Sequence, residues 1–122
     1  MNSSFPIERT PGVAPGRSSG SAFGNLVWAV ATSDDKTLDL KGQIEASFSK
    51  IEGVLAHFRT DKRYLISVNV LLSDLEQKKE FDAEWRAWVG DDPDNWPQRC
   101  CVQAVLSAGT LVEITVVAAR PS

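Results

Sequence analysis

The sequence has few of the residues from which metal centres and disulfide frameworks are built. Its 122 residues include two cysteines and one histidine. The cysteines, Cys100 and Cys101, are adjacent, so in an extended strand their side chains point to opposite faces and cannot easily bond to each other. His57 lies in a helical pattern far from them along the chain, whereas a zinc site needs several ligands together. We therefore predict two free thiols and no metal site.

An excess of charge of one sign and a long apolar run are also missing. Thirteen lysines and arginines stand against sixteen aspartates and glutamates, for a formal net charge of -3. This balance gives no basic surface for nucleic acid or for an anionic membrane. No apolar stretch approaches the roughly 18 residues that span a bilayer, and the opening MNSSFPIERTPG lacks the basic and apolar segments of a secretory signal. The sequence thus predicts a cytoplasmic protein with no nucleic-acid or membrane partner.

The sequence does contain enough apolar material for one domain. Hydrophobic residues make up 43% of the chain, and a chain of this length is near the usual size of one compact domain. Residues 1–17 carry three prolines and two glycines, a composition typical of an irregular segment. We predict an irregular N-terminal arm over residues 1–17 and a single domain over residues 18–122.

Three patterns along the domain indicate strands. Residues 18–23 and the segment LVWAVAT predict a hairpin around Gly24 and Asn25, with Trp28 expected in the core. The segment RYLISVNVLLS is typical of a strand covered on part of both faces, in the middle of a sheet. The stretch NWPQRCCVQAVL and the segment TLVEITVVAA predict a second hairpin around SAGT.

Apolar residues at spacings of three and four mark two amphipathic helices between these strands. They are Leu40, Ile44, Phe48, Ile51, Leu55 and Phe58 in the first helix, and Phe81, Trp85, Trp88 and Val89 in the second, which Gly90 ends. The order ββαβαββ predicts an α+β fold with two helices on one face of a mixed sheet. The other face keeps apolar residues such as Val102 and Val117 and needs a cover, so we expect an oligomer.

Two charged residues stand out in the last two predicted strands. Arginine carries a planar set of donors that matches a carboxylate, so Arg99 is either a clamp for an acidic ligand or a solvated residue at the rim. Glu113 interrupts LVEITVV, where a carboxylate costs free energy unless it is paired or lies in a wet cleft; otherwise it is a solvated position of an alternating strand.

The predicted second hairpin separates these two residues. With a two-residue turn at Ala108 and Gly109, Glu113 faces Ala104, roughly 17 Å along the strand from Arg99 and on the opposite sheet face. One chain then cannot bring both side chains to a small metabolite. Either a different loop length shifts the register, or a neighbouring subunit completes the site.

The residues of this region resemble a known family. The segment PQRCCVQAVLSAGTLVEITVVAAR resembles the C-terminal signature of the Rid family, the reactive intermediate deaminases also called YjgF-like, in which P-x-R-[ST]-x-V is followed by a turn and V-E-I. The segment LLSDLEQKKEFDAEWRAWV resembles the end of the family's central strand and its second helix, and GNLVWAVAT resembles its second strand. The similarity covers roughly residues 17–120.

The resemblance implies a chorismate-mutase-like fold and a homotrimer with clefts between its subunits. It implies that Arg99 binds the carboxylate of a 2-imino acid, that Glu113 assists the attack of water on the imine carbon, and that Cys101 lines the cleft. Hydrolysis would release ammonia and a 2-keto acid without a metal or an organic cofactor. One carboxyl group that holds a water and moves a proton suits this chemistry.

The chain departs from the family pattern at several positions. Arg17 stands where deaminating members carry an aromatic residue; it either favours a more acidic ligand or is a solvated residue of the arm. Ala31 stands where they carry the glycine of S-G-Q, and Cys100 replaces a small hydroxyl residue. We include Arg17 and Ala31 among the candidate substrate-binding residues, with Trp96, which is placed to wall the cleft.

These departures favour an alternative function for the same fold. In this alternative the protein is a non-catalytic trimer that binds a small carboxylate as a sensor or regulator. Ribonuclease activity ranks third, because the sequence has neither a basic surface nor a histidine pair.

Overall fold

Two helices pack against one face of a six-stranded sheet in the computed structural model of this protein, which describes residues 6–12 and 14–121. The strands are β1 (Glu8–Pro11), β2 (Ser18–Phe23), β3 (Leu26–Ala31), β4 (Leu65–Leu72), β5 (Gln98–Gln103) and β6 (Val112–Ala119), and the helices are α1 (Leu40–His57) and α2 (Lys78–Val89). The strand order is β1-β2-β3-β6-β4-β5, with β4 and β5 parallel and all other neighbours antiparallel. The predicted α+β fold with a mixed sheet is confirmed.

The first hairpin, both helices and the central β4 form where the sequence predicts them. The Asp39 side chain caps α1 by accepting a hydrogen bond from the Gly42 N–H. Gly90 ends α2 with a φ of 84°, which is the left-handed region that glycine adopts without a steric penalty. Within the described part of the chain, neither helix is both long enough and apolar enough to cross a membrane.

The predicted hairpin between the last two strands is wrong. β5 pairs in parallel with β4, and β6 lies between β3 and β4. A parallel pair requires a crossover connection, which α2 provides. The inward-facing residues of β6 are 0% exposed, whereas no residue of β5 is fully buried. β6 therefore fits the centre of the sheet, and β5 fits the edge.

Part of the predicted irregular arm is a strand. Residues 8–11 form β1, which pairs antiparallel with β2, and the buried Thr10 hydroxyl bonds the Ser19 hydroxyl at 2.7 Å. Pro11 lies at the end of the strand, where the register shifts, so its missing N–H interrupts no ladder inside the strand. Residues 1–5 and 13 of the predicted arm, and Ser122 of the predicted domain, lie outside the described residues.

The strand pairing defines a covered face and an open face of the sheet. Alternate residues of β4 and β6, such as Val70 and Ile114, lie opposite each other, point toward the helices and are completely buried. We call this the covered face. The intervening residues lie on the open face. Five large apolar side chains of β2, β3 and β5 on this face are between 38% and 47% exposed: Phe23, Leu26, Trp28, Val30 and Val102. The prediction that Trp28 lies in the core is wrong, because the small and β-branched residues Val27 and Ala29 of β3 face the helices instead.

A buried glutamine ties α1 to the loop between β5 and β6. Gln43 is 0% exposed. Its side-chain amide donates to the carbonyls of Leu38 at 3.1 Å and Gly109 at 2.9 Å, and its Oε1 accepts a hydrogen bond from the Leu111 N–H at 2.9 Å. These bonds satisfy the amide and fix the loop that leads into β6.

The substitution Gln43→Leu is expected to lower the free energy of unfolding by about 2 kcal/mol, because it leaves the Gly109 carbonyl and the Leu111 N–H without their partners. Denaturant unfolding measures this loss. Glu45→Leu, at an exposed position of the same helix, is the control and is expected to stay within about 0.5 kcal/mol of the wild type. Equal stability of the two variants would contradict the role given to Gln43.

Candidate functional site

Arg99 lies on the covered face at the edge of the sheet. It stands opposite the buried Val68 of β4, so its side chain points toward α2. Its Nη2 donates to Asp82 Oδ1 at 2.8 Å, and the guanidinium lies 5.5 Å from the ring centres of both Phe81 and Trp85. Only 18% of the side chain is exposed. The guanidinium is therefore fixed by an ion pair on one side and by aromatic rings below it.

Asp82 also receives a second cation from its own helix. Lys78, one turn earlier on α2, donates to Asp82 Oδ2 at 2.8 Å. Burial acts to raise the pKa of the Asp82 carboxyl, but the hydrogen bonds and charges of Lys78 and Arg99 outweigh it, so the pKa lies below its ordinary value. The carboxylate thus stays ionised and connects two cations.

Cys101 shares the covered face with Arg99. It lies opposite Val70 and packs against the core. Burial raises the pKa of its thiol, and the positive charges of Arg99 and Lys78 only partly oppose this shift. A thiol with a raised pKa is a weak nucleophile at neutral pH, so Cys101 can line a cleft but is poorly suited to attack a substrate.

Cys100 points to the opposite face, as predicted. Its thiol donates to Asn69 Oδ1 on the neighbouring strand at 3.0 Å. Both cysteines are free thiols. Among the described residues, no group of three or more histidine, cysteine, aspartate or glutamate side chains is placed to hold a metal ion.

Glu113 lies on the open face of β6. It stands opposite Leu71 of β4, which in turn stands opposite Val102 of the edge strand. No hydrogen bond or ion pair from residues 6–12 or 14–121 reaches its half-buried carboxylate. An ionised group among apolar neighbours requires water, a ligand or another chain as its partner.

The structure therefore does not bring Arg99 and Glu113 together within one chain. Arg99 stands opposite Val68 of β4 and Glu113 opposite Leu71, so the two are offset by three residues, which is roughly 10 Å along the strands. Their side chains also point to opposite faces of the sheet. The prediction of opposite faces is confirmed, but the pairing that we expected to cause it is wrong, because β6 and β5 lie on either side of β4.

The remaining predicted site residues lie in different surroundings. Arg17 is exposed in the loop between β1 and β2. Ala31 is 4% exposed and its side chain belongs to the core, so its backbone is the part that could approach a substrate. Trp96 donates from Nε1 to the Gly90 carbonyl at 2.9 Å and stacks with the Arg86 guanidinium at 5.0 Å, which anchors it at the end of α2.

Sequence reasoning missed Lys78 and Asp82. Their spacing of four residues on a helix is a detectable signal for an ion pair, and the structure contains that pair. The contact to Arg99 was not detectable, since it depends on β5 lying beside α2.

Comparison with known proteins identifies the family. Residues 24–120 match the family model described as endoribonuclease L-PSP. The chain belongs to this family, that of the YjgF-like and Rid proteins, and the resemblance noted in the sequence is confirmed. No protein of curated function matches the sequence significantly.

Solved structures share the fold over almost the whole chain. An uncharacterised protein from Pseudomonas aeruginosa is 29% identical, with a TM-score of 0.86 over 95% of this chain and 100% of the other. A member of the YjgF protein family from Neisseria meningitidis is 23% identical, with a TM-score of 0.83 over 96% and 97% of the two chains. Yeast Mmf1 is 20% identical, with a TM-score of 0.83 over 95% and 100%.

The variant Asp82→Asn is expected to show how the ion pair depends on pH. A carboxyl with a lowered pKa contributes stability that is present above its unfolded pKa of about 3.9 and is lost as the pH falls through its folded value. The wild type should therefore exceed the variant in free energy of unfolding near pH 6, by less than about 1 kcal/mol because Asp82 is 36% exposed. The difference should shrink as the pH falls below about 3.9 and should vanish once the pH is below the lowered pKa of the folded state.

Urea unfolding at fixed protein concentration and several pH values measures this difference. Glu80→Gln, on the opposite side of α2, removes a carboxylate without touching Arg99 and is the control. A difference for Asp82→Asn that did not change with pH would show that the ion pair is not its source.

Proposed function

We propose that the protein is a cytoplasmic homotrimeric imine deaminase, which hydrolyses 2-imino acids to 2-keto acids and ammonia in clefts between subunits. One observation carries the proposal. The chain belongs to the YjgF/Rid family and carries a fixed arginine on the covered face and, on the apolar open face, a glutamate that has no partner among the residues that the structure describes. One chain cannot bring the two side chains together, because they point to opposite faces of the sheet.

Arg99 would bind the substrate carboxylate. Its Nη2 holds Asp82, while Nε and Nη1 have no partner in the part of the chain that the structure describes. Either of these free donors, together with the second hydrogen of Nη2, can bind a carboxylate in charge-assisted hydrogen bonds. The bound acid would then stand with its imine carbon at a defined distance from the arginine.

Glu113 would activate the water. Its carboxylate accepts a proton as the water oxygen attacks the imine carbon, and the C=N bond becomes a C–N single bond. The proton is then passed to the nitrogen, which gives a neutral carbinolamine. The carboxylate takes the hydroxyl proton of this intermediate as the C=O bond forms and gives it to the nitrogen as the C–N bond breaks, which releases ammonia and the 2-keto acid. A single carboxyl group can perform these transfers by acting in turn as base and as acid. The reaction consumes one water and needs no other reactant.

The alternative, a non-catalytic trimer that binds a small carboxylate, is favoured by one observation. Ala31 stands where deaminating members carry the glycine of S-G-Q, and a side chain there hinders a close approach of the backbone to a ligand. The two functions are separated by adding a freshly generated 2-imino acid and following its loss. Unchanged decay of the imine, together with binding of the 2-keto acid, would support the alternative.

Ribonuclease activity, which the family description names, finds little support in this chain. The sequence contains a single histidine, and His57 is exposed at the end of α1. Acid and base groups for cleavage of a phosphodiester would have to come from elsewhere.

The variant Arg99→Met is expected to lose at least about a hundredfold of turnover, because it keeps the packing on Phe81 and Trp85 but removes all donors. Arg99→Lys keeps the positive charge and is expected to recover only a small part of the wild-type turnover. Imine loss measured by ammonia release provides the readout, with oligomeric state followed by sedimentation. Wild-type turnover in Arg99→Met would contradict the role of this arginine.

The variant Glu113→Gln is expected to lower kcat about a hundredfold or more while KM changes only a few-fold, because it removes the proton acceptor but not the carboxylate clamp. Glu76→Gln, at an exposed position before α2, is the matched control. A large change in KM with unchanged kcat would show that Glu113 binds the substrate and does not transfer the proton.

Mixed trimers test whether two subunits build one site. Arg99→Met and Glu113→Gln are each inactive by the predictions above, but their co-assembly creates clefts with both wild-type residues. Random mixing should restore about a quarter of the clefts, and activity in proportion. A mixture with no more activity than its separate components would show that the two residues do not act in one intersubunit cleft.

A further inference from the structure

We propose that Asp82 sets the charge selectivity of the Arg99 site, so that this site accepts ligands with one carboxylate and disfavours ligands with two. The inference rests on the proposed function, in which Arg99 binds the substrate carboxylate, and it names the substrate class as small monocarboxylic imino and keto acids. Asp82 acts through Arg99 and is therefore a positioning residue.

The geometry of the guanidinium limits how many carboxylates it can hold. A guanidinium has two edges that can bind a carboxylate through paired donors, and both edges use Nη2. Asp82 Oδ1 accepts one hydrogen of Nη2 at 2.8 Å, so it occupies one edge. The other edge remains for one carboxylate of a ligand.

The contacts of Arg99 fix the guanidinium with one edge toward Asp82 and the other edge left for a ligand. The guanidinium lies between the rings of Phe81 and Trp85 and the Asp82 carboxylate, with 18% of the side chain exposed. Asp82 is itself fixed, because Lys78 holds its second oxygen at 2.8 Å. The ligand must therefore adapt to the arginine, because the arginine has little room to turn toward the ligand.

The charges of this cluster match a single carboxylate. Lys78 and Arg99 carry two positive charges and Asp82 one negative charge, which leaves one net positive charge. Within the described residues, no further ion pair joins this group. A ligand with one carboxylate neutralises the cluster, whereas a second carboxylate adds a negative charge that Lys78 and Arg99 do not compensate.

Binding of two keto acids of similar length tests the proposal without requiring turnover. The probes are 2-oxohexanoate, with one carboxylate, and 2-oxoglutarate, with two, titrated by calorimetry into the assembled protein. The wild type is expected to bind 2-oxohexanoate at least about tenfold more tightly. In Asp82→Asn, which keeps an oxygen for Arg99 but removes the charge, this ratio is expected to shrink by about tenfold.

Two further variants separate charge from structure. Lys78→Met removes a positive charge from the same cluster, and the ratio is expected to change in the opposite direction, with 2-oxoglutarate losing more affinity than 2-oxohexanoate. Glu80→Gln removes a carboxylate from the opposite side of α2 and should leave the ratio as in the wild type. Loss of packing alone would weaken both probes together and would not change the ratio in opposite directions.

The failures of the two proposals can be told apart. If the wild type hydrolyses a 2-imino acid but Asp82→Asn shows the wild-type ratio, the role of Asp82 is wrong and the proposed function stands. A wild type that binds 2-oxoglutarate more tightly also overturns the role of Asp82. If neither keto acid binds the wild type and the imine is not hydrolysed, the proposed function fails, and the role of Asp82 fails with it.

Discussion

The parallel pairing of β4 and β5 decides where the candidate site residues lie. Because the connection between these strands runs through α2, this helix lies over the edge strand, where Asp82 meets Arg99. The same crossover leaves the space between β3 and β4 to β6, which places Glu113 among the apolar residues of the open face. The order of the strands thus gives Arg99 a charged neighbour and Glu113 apolar neighbours.

The two faces of the sheet carry groups of opposite charge, Arg99 on the covered face and Glu113 on the open face. On the covered face, a guanidinium with free donors has an excess of positive charge that an anion can use. On the open face, a carboxylate stands beside apolar side chains and needs a polar partner. In the proposed trimer a neighbouring subunit covers the apolar residues and leaves a small polar space at their border. A carboxylic acid and a water molecule would satisfy both groups there.

Local patterns in the sequence predicted the local elements and missed the long-range pairing. The spacing of Leu40 to Phe58 and the turn at Gly24 and Asn25 depend on neighbouring residues, and both formed as predicted. Two strands joined by a short loop have the same sequence pattern whether they pair with each other or each pairs with β4. The predicted hairpin was therefore wrong. Arg99 and Glu113 could be selected by residue type, but the contact with Asp82, seventeen positions earlier, exists only in the folded chain.

The position of β6 also governs the order in which the fold can be completed. The sixth strand occupies the middle of the sheet, with β3 on one side and β4 on the other. A nascent chain that has emerged only as far as β5 therefore exposes two unpaired strand edges and lacks the centre of its core. The pairs β2–β3 and β4–β5 become parts of one sheet only when β6 is inserted between β3 and β4, so a chain shortened before β6 would lack the strand that joins them.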